Sequence, residues 1–297
     1  MTGLHPVLQE TARAKVNLTL EILGKRPDGY HALESLVAFA DIGDVLTLDP
    51  GLPPGVSVSG PFGETIVGEN IVVRALGLLQ ARHPDLNVGA VHVQKRLPVA
   101  AGLGGGSANA AAVLRCVKRL NPEQSQNVDF MTLAAELGAD VPVCLLDHAA
   151  WMRGIGERLE TIDDLPPVPV VLANPQVPVP ADKTVRVFKA LDAPPYAAAP
   201  RCPPVVMPSE LTRDWRSLVE YLYKTGNGLY RPAHSVIPQI DDVLGRLSVE
   251  PKCAYAAVSG AGPTCFAVFP AIADCERAAD AIQAAEPNWW VVSTVLR

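Results

Sequence analysis

The sequence predicts an α+β protein of two domains. Three observations point there. A strict two-residue alternation opens the chain. Strand-like and helix-period runs then follow one another without a regular strand–helix–strand rhythm. The 297 residues also exceed what one ordinary domain needs.

The elements follow in order. Over residues 12–23, Ala14, Val16, Leu18, Leu20 and Ile22 fall on one face and Lys15, Asn17, Thr19 and Glu21 on the other. That is a strand with one buried side. Arg26-Pro27-Asp28-Gly29 is a turn, and Leu36 to Asp49 reads as strand material interrupted at Gly43. Asn70 caps a helix that runs to about Arg82, with Ile71, Ala75, Leu78 and Leu79 on one side. Residues 90–96 form a short strand. Pro98 to Ser107 is a loop of small residues, and Ser107 to Leu120 is a helix stopped by Asn121-Pro122. Phe130 to Leu137 is helical, with Gly138 as its C-cap and Asp140 just beyond. The proline-rich residues 165–210 read as short strands and extended loop. The domain boundary is expected near their start, dividing the chain into 1–160 and 161–297. Helices are expected at 211–224 and 234–247. A strand, a tight turn from Ser259 to Pro263 and a second strand fill 254–269. A helix from Ala271 to Ala285 and a strand from Trp289 to Leu296 close the chain.

Composition narrows the function. Apolar residues make up 48%, enough for a large core, which excludes a disordered chain. Against 25 Lys+Arg stand 31 Asp+Glu, a net charge of −6, so no basic face for nucleic acid is expected. One small anion site built from backbone N–H groups remains compatible with that charge. The long charge-free stretch Leu165 to Ala181 carries too many prolines to be a membrane helix. The opening MTGLHPVLQE lacks the apolar stretch of a secretory signal. Six scattered cysteines, with no CxxC pair, read as reduced thiols rather than a disulfide frame or zinc site. The expectation is a cytoplasmic protein, monomer or homodimer, without nucleic-acid or membrane partners.

The most informative segment is the loop of Pro98, Val99, Ala100, Ala101, Gly102, Leu103, Gly104, Gly105, Gly106, Ser107 and Ala108. Glycine lets the backbone approach a ligand closely and adopt positive φ. A helix start adds N–H groups without partners and a partial positive charge. Together they make an anion site, and Ser107 and Asn109 add side-chain donors. The bland alternative is a flexible turn with Ser107 as an ordinary cap. Known nucleotide signatures fail: there is no GxxxxGK[ST], no third glycine at the dinucleotide spacing, and no protein-kinase motif.

PVAAGLGGGSANAAAVL resembles the central motif of the GHMP kinases, a family of small-molecule kinases. Ala14-Lys15-Val16-Asn17-Leu18 and Ser259-Gly260-Ala261-Gly262-Pro263-Thr264-Cys265 resemble its first and last motifs, in the right order. Within the family, the blocks AKVNLTLEILGKRPDGYHALESLV, GENIVVRA, GLGGGSANAAAVL, LGADVPVCL and RGIGERLE resemble the branch acting on a cytidylyl-capped methylerythritol. The resemblance implies a ribosomal protein S5 domain 2-like N-terminal domain and a ferredoxin-like C-terminal domain. It also implies transfer of the γ-phosphate of ATP to the 2-hydroxyl of 4-diphosphocytidyl-2-C-methyl-D-erythritol, in the non-mevalonate route to isoprenoids. Two departures stand out: Pro263 stiffens the last turn, and Asn227-Gly228-Leu229 replaces the usual Asn-Asp-Leu.

The resemblance also implies roles for single residues. ATP phosphates would lie on the loop of Pro98 to Ala108. Asp140 would take or orient the proton of the attacking hydroxyl, and Lys15 would hold it ionised. Read from their own positions, these are a loop aspartate and a solvated strand lysine. Asn17 would bind substrate. Tyr30 and Phe188 would stack on the two faces of the cytosine, with Thr184 alongside and His31 at its edge. Mg²⁺ is expected with ATP, its protein ligands unassigned, Ser107 being one candidate. Three rivals remain: a sibling kinase for homoserine, a sugar or mevalonate; a catalytically inactive nucleotide-binding module; and a dinucleotide-dependent oxidoreductase, which the failed fingerprint disfavours.

Overall fold

The opening alternation does build a strand, β1, Leu8–Asn17. Gln9 and Thr11 are exposed, but unlike the expected half-solvated strand its second half is covered on both sides: Lys15 and Asn17 are buried like Ala14 and Val16. In this computed structural model, residues 6–65, 70–196 and 214–297 are described. The expected helix start at 211–213, and the proline-rich stretch beyond 196, lie outside them.

Beyond β1 come β2 (Glu21–Lys25) and β3 (His31–Asp49), the latter nineteen residues long. Gly43 does not interrupt β3. A Cβ there would sit 2.8 Å from the Arg13 Cα, so glycine is what lets β1 lie this close. β4 (Gly55–Ser59) precedes α1 (Ile71–Arg82), whose cap Asn70 accepts the Val72 N–H at 2.9 Å, as expected. β5 (Ala90–Gln94) leads into α2 (Gly105–Leu120), α3 (Phe130–Leu137) and the short α4 (Val141–Leu146). A hairpin, β6 (Ala150–Gly154) and β7 (Arg158–Thr161), is followed by β8 (Val168–Asn174) and α5 (Lys183–Ala190). β8 is one of the short strands expected in the proline-rich stretch, whereas α5 is a helix where only strand and loop were expected. Next come α6 (Trp215–Thr225), α7 (Tyr230–Val236) and α8 (Ile240–Ser248). The single helix expected over 234–247 is therefore two. Pro238 cannot donate an N–H and forces Ile237 out of the helical region, to φ −136° and ψ 83°. β9 (Tyr255–Val258), β10 (Cys265–Val268), α9 (Ile272–Ala285) and β11 (Trp290–Leu296) complete the chain.

Packing divides these elements into two compact units that interleave along the sequence: 1–15, 42–99 and 104–147 in the first, and 16–41, 100–103 and 148–297 in the second. The long strands β1 and β3 contribute to both. This division by packing therefore differs from the sequential one at 160. In the first unit, β5 pairs parallel with β4 and antiparallel with the end of β3. The helices α1 to α4 pack on one another. Every residue from Ala108 to Leu114 of α2 is buried, so its alanines serve close helix packing rather than a helix surface.

In the second unit, β11, β8, β10 and β9 form an antiparallel ladder joined to β3 through Leu296 and Ala40. The start of β3 also pairs with β2 and β6. Val171, Phe269, Val187, Leu229, Ile240, Val243 and Ile282 are among the buried residues of its core. No helix among the described residues is long and apolar enough to cross a membrane.

Candidate functional site

In the first unit, Lys15 and Asp140 meet. Lys15 Nζ lies 2.9 Å from Asp140 Oδ1, with 4% of the lysine side chain exposed and 39% of the aspartate. The ammonium is thus fixed while the carboxylate keeps access to a reactant. Asp140 stands at the start of α4 in helical conformation, but its side chain caps nothing. The other end of α4 is also held to β1: Arg13 Nε donates to Asp147 Oδ1 at 2.9 Å and Nη2 to the Asp147 carbonyl at 2.6 Å. Arg115 of α2 ties the α4 carbonyl of Cys144 to Glu10 of β1. Burial, and then Asp140, push the Cys144 thiol up to about 12.

Gly104, in the same unit, lies close to Lys15. Gly104 has φ +63° and ψ +16°, left-handed, and a Cβ there would lie 3.2 Å from the Lys15 Cβ and 3.4 Å from its Cε. Only glycine combines that conformation with that approach. Helix α2 starts at Gly105, not at the expected Ser107, so the N-cap is Gly104, which has no side chain to cap with. No cap side chain is there to accept from the first-turn N–H groups. Ser107 is the third residue of the helix, half-buried, and not its cap. Asn109 is buried, and its Oδ1 has no hydrogen-bond partner.

The stretch Ala100–Leu103 belongs to the second unit, and there its carbonyls are taken one after another. Lys183 Nζ donates to the Ala100 carbonyl at 2.8 Å and also to that of Gly262. The Thr264 N–H donates to Ala101 at 3.1 Å, and Ser259 Oγ to Gly102 at 2.9 Å. Bonding falls on the carbonyl side, the polarity suited to a loop whose N–H groups meet an anion. Gly102 has φ +81°, and a Cβ there would stand 2.5 Å from the Ser259 carbonyl. The bend from Ser259 to Gly262 is itself braced by Asn227, whose Nδ2 donates to Val258 and Gly260. Asn227 is thus a bracket for the last motif, whatever stands at 228. The Gly262–Pro263 bond is cis.

The other expected ligand residues also lie in the second unit. The Asn17 amide donates to Ser35 Oγ at 2.8 Å, and the Asn17 backbone N–H to Ser259 Oγ at 3.2 Å. The imidazole of His31 stacks on Phe188 of α5, ring centres 5.1 Å apart and planes 29° apart. Tyr30 is 60% exposed, and its N–H donates to Asp28 at 3.1 Å. The ring packed on Phe188 is therefore His31, not Tyr30. Burial, and then Lys25, lower the His31 pKa, so the ring is neutral at pH 7. Thr184 is exposed on α5 beside buried Lys183, whose ammonium burial lowers to about 8.

Two family models match, the GHMP kinases N terminal domain over residues 70–148 and the GHMP kinases C terminal over 209–288. A relative from Methylobacterium radiotolerans, a 4-diphosphocytidyl-2-C-methyl-D-erythritol kinase, is 47% identical over 98% of this chain and 99% of its own. The chain belongs to the 4-diphosphocytidyl-2-C-methyl-D-erythritol kinases of the GHMP family. A crystal structure of a 4-(cytidine 5'-diphospho)-2C-methyl-D-erythritol kinase, 33% identical, matches with a TM-score of 0.73 over 97% of this chain and 99% of that one. The L. major mevalonate kinase structure, at 13% identity and a TM-score of 0.64 over 98% of this chain and 96% of that one, shares the fold.

As a GHMP kinase, the protein is a phosphotransferase, and the family implies ATP. The oxidoreductase reading is set aside. Sequence reasoning passed over Lys183, Ser35 and the Arg13–Asp147 pair. Lys183 carries no motif of its own: a lysine in Ala-Asp-Lys-Thr reads as surface until the carbonyls it meets are seen. Ser35 and Asp147 are polar residues whose partners lie far along the chain, which no spacing reveals.

Proposed function

We propose that this kinase transfers the γ-phosphate of ATP to the 2-hydroxyl of 4-diphosphocytidyl-2-C-methyl-D-erythritol, a step toward isoprenoid precursors. The single observation that carries the chemistry is the Lys15–Asp140 pair, a buried ammonium fixed on a half-exposed carboxylate. Asp140 receives the proton of the attacking hydroxyl, and Lys15 orients the carboxylate and offsets charge on the moving phosphoryl group. Pro98, Val99, Ala100, Ala101, Gly102, Leu103, Gly104, Gly105, Gly106, Ser107 and Ala108 cradle the phosphates, supported by the left-handed glycines and the uncapped start of α2.

The cytosine is recognised in the second unit. Phe188 supplies an aromatic face, neutral His31 offers one donor and one acceptor to the base edge, and exposed Tyr30 supplies the second aromatic face. Asn17 and Thr184 contact the remainder of the substrate. The family segments are 1–160, the ATP-binding part, and 161–297, supported by the two models matching on either side of that boundary.

Mg²⁺ accompanies the nucleotide. No cluster of three or more His, Cys, Asp or Glu is present among the described residues. The donor set that fits is therefore the Ser107 hydroxyl together with the phosphates themselves, because Mg²⁺ keeps waters and needs few protein ligands. When bound, the ion neutralises phosphate charge. We place the protein in the cytoplasm, supported by its five unpaired cysteines among the described residues.

The test is ADP release from ATP with four acceptors: the cytidylyl methylerythritol, homoserine, mevalonate and galactose. Turnover with the first alone supports the reading. Equal turnover with any other refutes the assigned substrate.

A further inference from the structure

Helix α5 carries two kinds of residue, five positions apart. Phe188 faces the ring of His31, and Lys183, at the first helical position, reaches the carbonyl of Ala100. Val187 seats the helix in the core of the second unit. The same ammonium also binds the carbonyl of Gly262, so one buried side chain joins α5, the glycine loop and the last-motif bend.

Ala100 is the strained point of the loop. Its φ is +55°, a left-handed conformation that a residue with a Cβ rarely adopts. Such strain persists only where surrounding contacts hold it. The Ala100 carbonyl is the acceptor that Lys183 holds, while Ala101 and Gly102 are held by Thr264 and Ser259 of the bend. Lys183 is thus the link by which α5 grips this stretch.

We propose that Lys183 is a positioning residue that couples the two ligands: occupancy of the cytidylyl end, by fixing α5, fixes the strained Ala100 peptide and tightens nucleotide binding. The inference rests on the assignment of the loop to ATP and of α5 to the cytidylyl substrate. Coupling is reciprocal, so nucleotide tightens the cytidylyl ligand by the same factor. Lys183 touches neither reactant and is not a catalytic residue.

The test compares the wild type with Lys183→Met, which keeps the stem but not the donor, and with Lys183→Gln and Lys183→Arg. For each, the Kd of a non-hydrolysable ATP analogue is measured by titration calorimetry, with and without saturating cytidylyl methylerythritol. The wild type is expected to bind the analogue about fivefold tighter or more when the cytidylyl ligand is present. Lys183→Met is expected to bring that ratio to about one while leaving the Kd of the cytidylyl ligand alone unchanged. Lys183→Arg restores part of the ratio, since a cationic donor remains.

A lysine that merely stabilised the fold would lower the melting temperature of the Met variant without moving the ratio, and that result overturns the proposal. If the Met variant does not fold, the Gln variant, which retains one amide donor, must show a reduced ratio; an unchanged ratio there also overturns it. A wild type that binds both ligands with a ratio of one refutes the coupling while the proposed substrate stands. A wild type that does not bind the cytidylyl ligand removes both.

Discussion

Lys15 and Asp140 meet at 2.9 Å within a framework that holds α4 to β1 at both ends, the second hold being Arg13 on Asp147. The lysine that orients the carboxylate and the arginine that anchors the far end of the helix sit two positions apart on one strand. The Asp140 carboxylate is therefore held by the fold itself, the preorganisation that the proposed phosphoryl transfer depends on.

Lys15→Met separates orientation from presence. It leaves Asp140 in place and partly solvated, so the fold is expected to survive with a melting temperature close to that of the wild type. The kcat for ADP release should drop about 10²- to 10³-fold, the size of losing one preorganised charge contact. Steady-state kinetics together with a thermal melt check this. A drop in KM performance alone, with kcat intact, would reassign Lys15 to binding.

The glycines of the loop are not equivalent. Gly102→Ala places a Cβ against the backbone carbonyls of Ser259 and Gly262, 2.5 and 2.8 Å away, at φ +81°. A stability loss of about 2 kcal/mol or more is expected. Gly106 has no positive φ, and its Cβ would meet only the Ile71 Cγ2, at 3.7 Å. Gly106→Ala in the helix is expected to leave stability unchanged or raise it by about 0.5–1 kcal/mol. Denaturant unfolding of the two variants decides.

Phe188→Ala removes the aromatic face of α5. The KM for the cytidylyl substrate should rise about tenfold, the scale of one lost stacking contact, with the KM for ATP changed far less. A larger effect on ATP would place Phe188 on the nucleotide instead.

The proposed role of His31 at the cytidylyl base makes substrate binding depend on pH. Its folded pKa is lowered, first by burial and then by Lys25. The unfolded chain therefore binds its proton more readily than the folded one, and stability falls as pH drops below the ordinary histidine value of about 6.5. The KM for the cytidylyl substrate should rise further down, as pH passes the lowered pKa of the folded protein and the neutral ring is lost. His31→Gln, neutral at every pH, should flatten that part of the profile; a profile unchanged by the substitution would clear His31 of the effect.

Much of this architecture was legible in residue patterns. Asn70 announced its helix, and the loop from Gly102 to Gly106 announced a bend feeding one, because caps and glycines act through local geometry. What stayed hidden was non-local. The alternation around Lys15 looked like a solvated face because nothing local records that both sides are covered. Helix α5 was masked by flanking prolines, although Lys183 to Ala190 holds none. Pro238 did carry the signal that splits α7 from α8. At the site, Lys15 and Asp140 were marked by motif, whereas the stacking of His31 on Phe188 depends on an approach of β3 to α5 that no spacing encodes.

The most direct measurement is on Asp140→Asn, which keeps the shape of the side chain and removes the proton acceptor. Single-turnover phosphoryl transfer from ATP to the cytidylyl methylerythritol should slow by about 10²- to 10⁴-fold, while titration shows nucleotide binding within about twofold of the wild type. Transfer at the wild-type rate by that variant would contradict the role assigned to the Lys15–Asp140 pair.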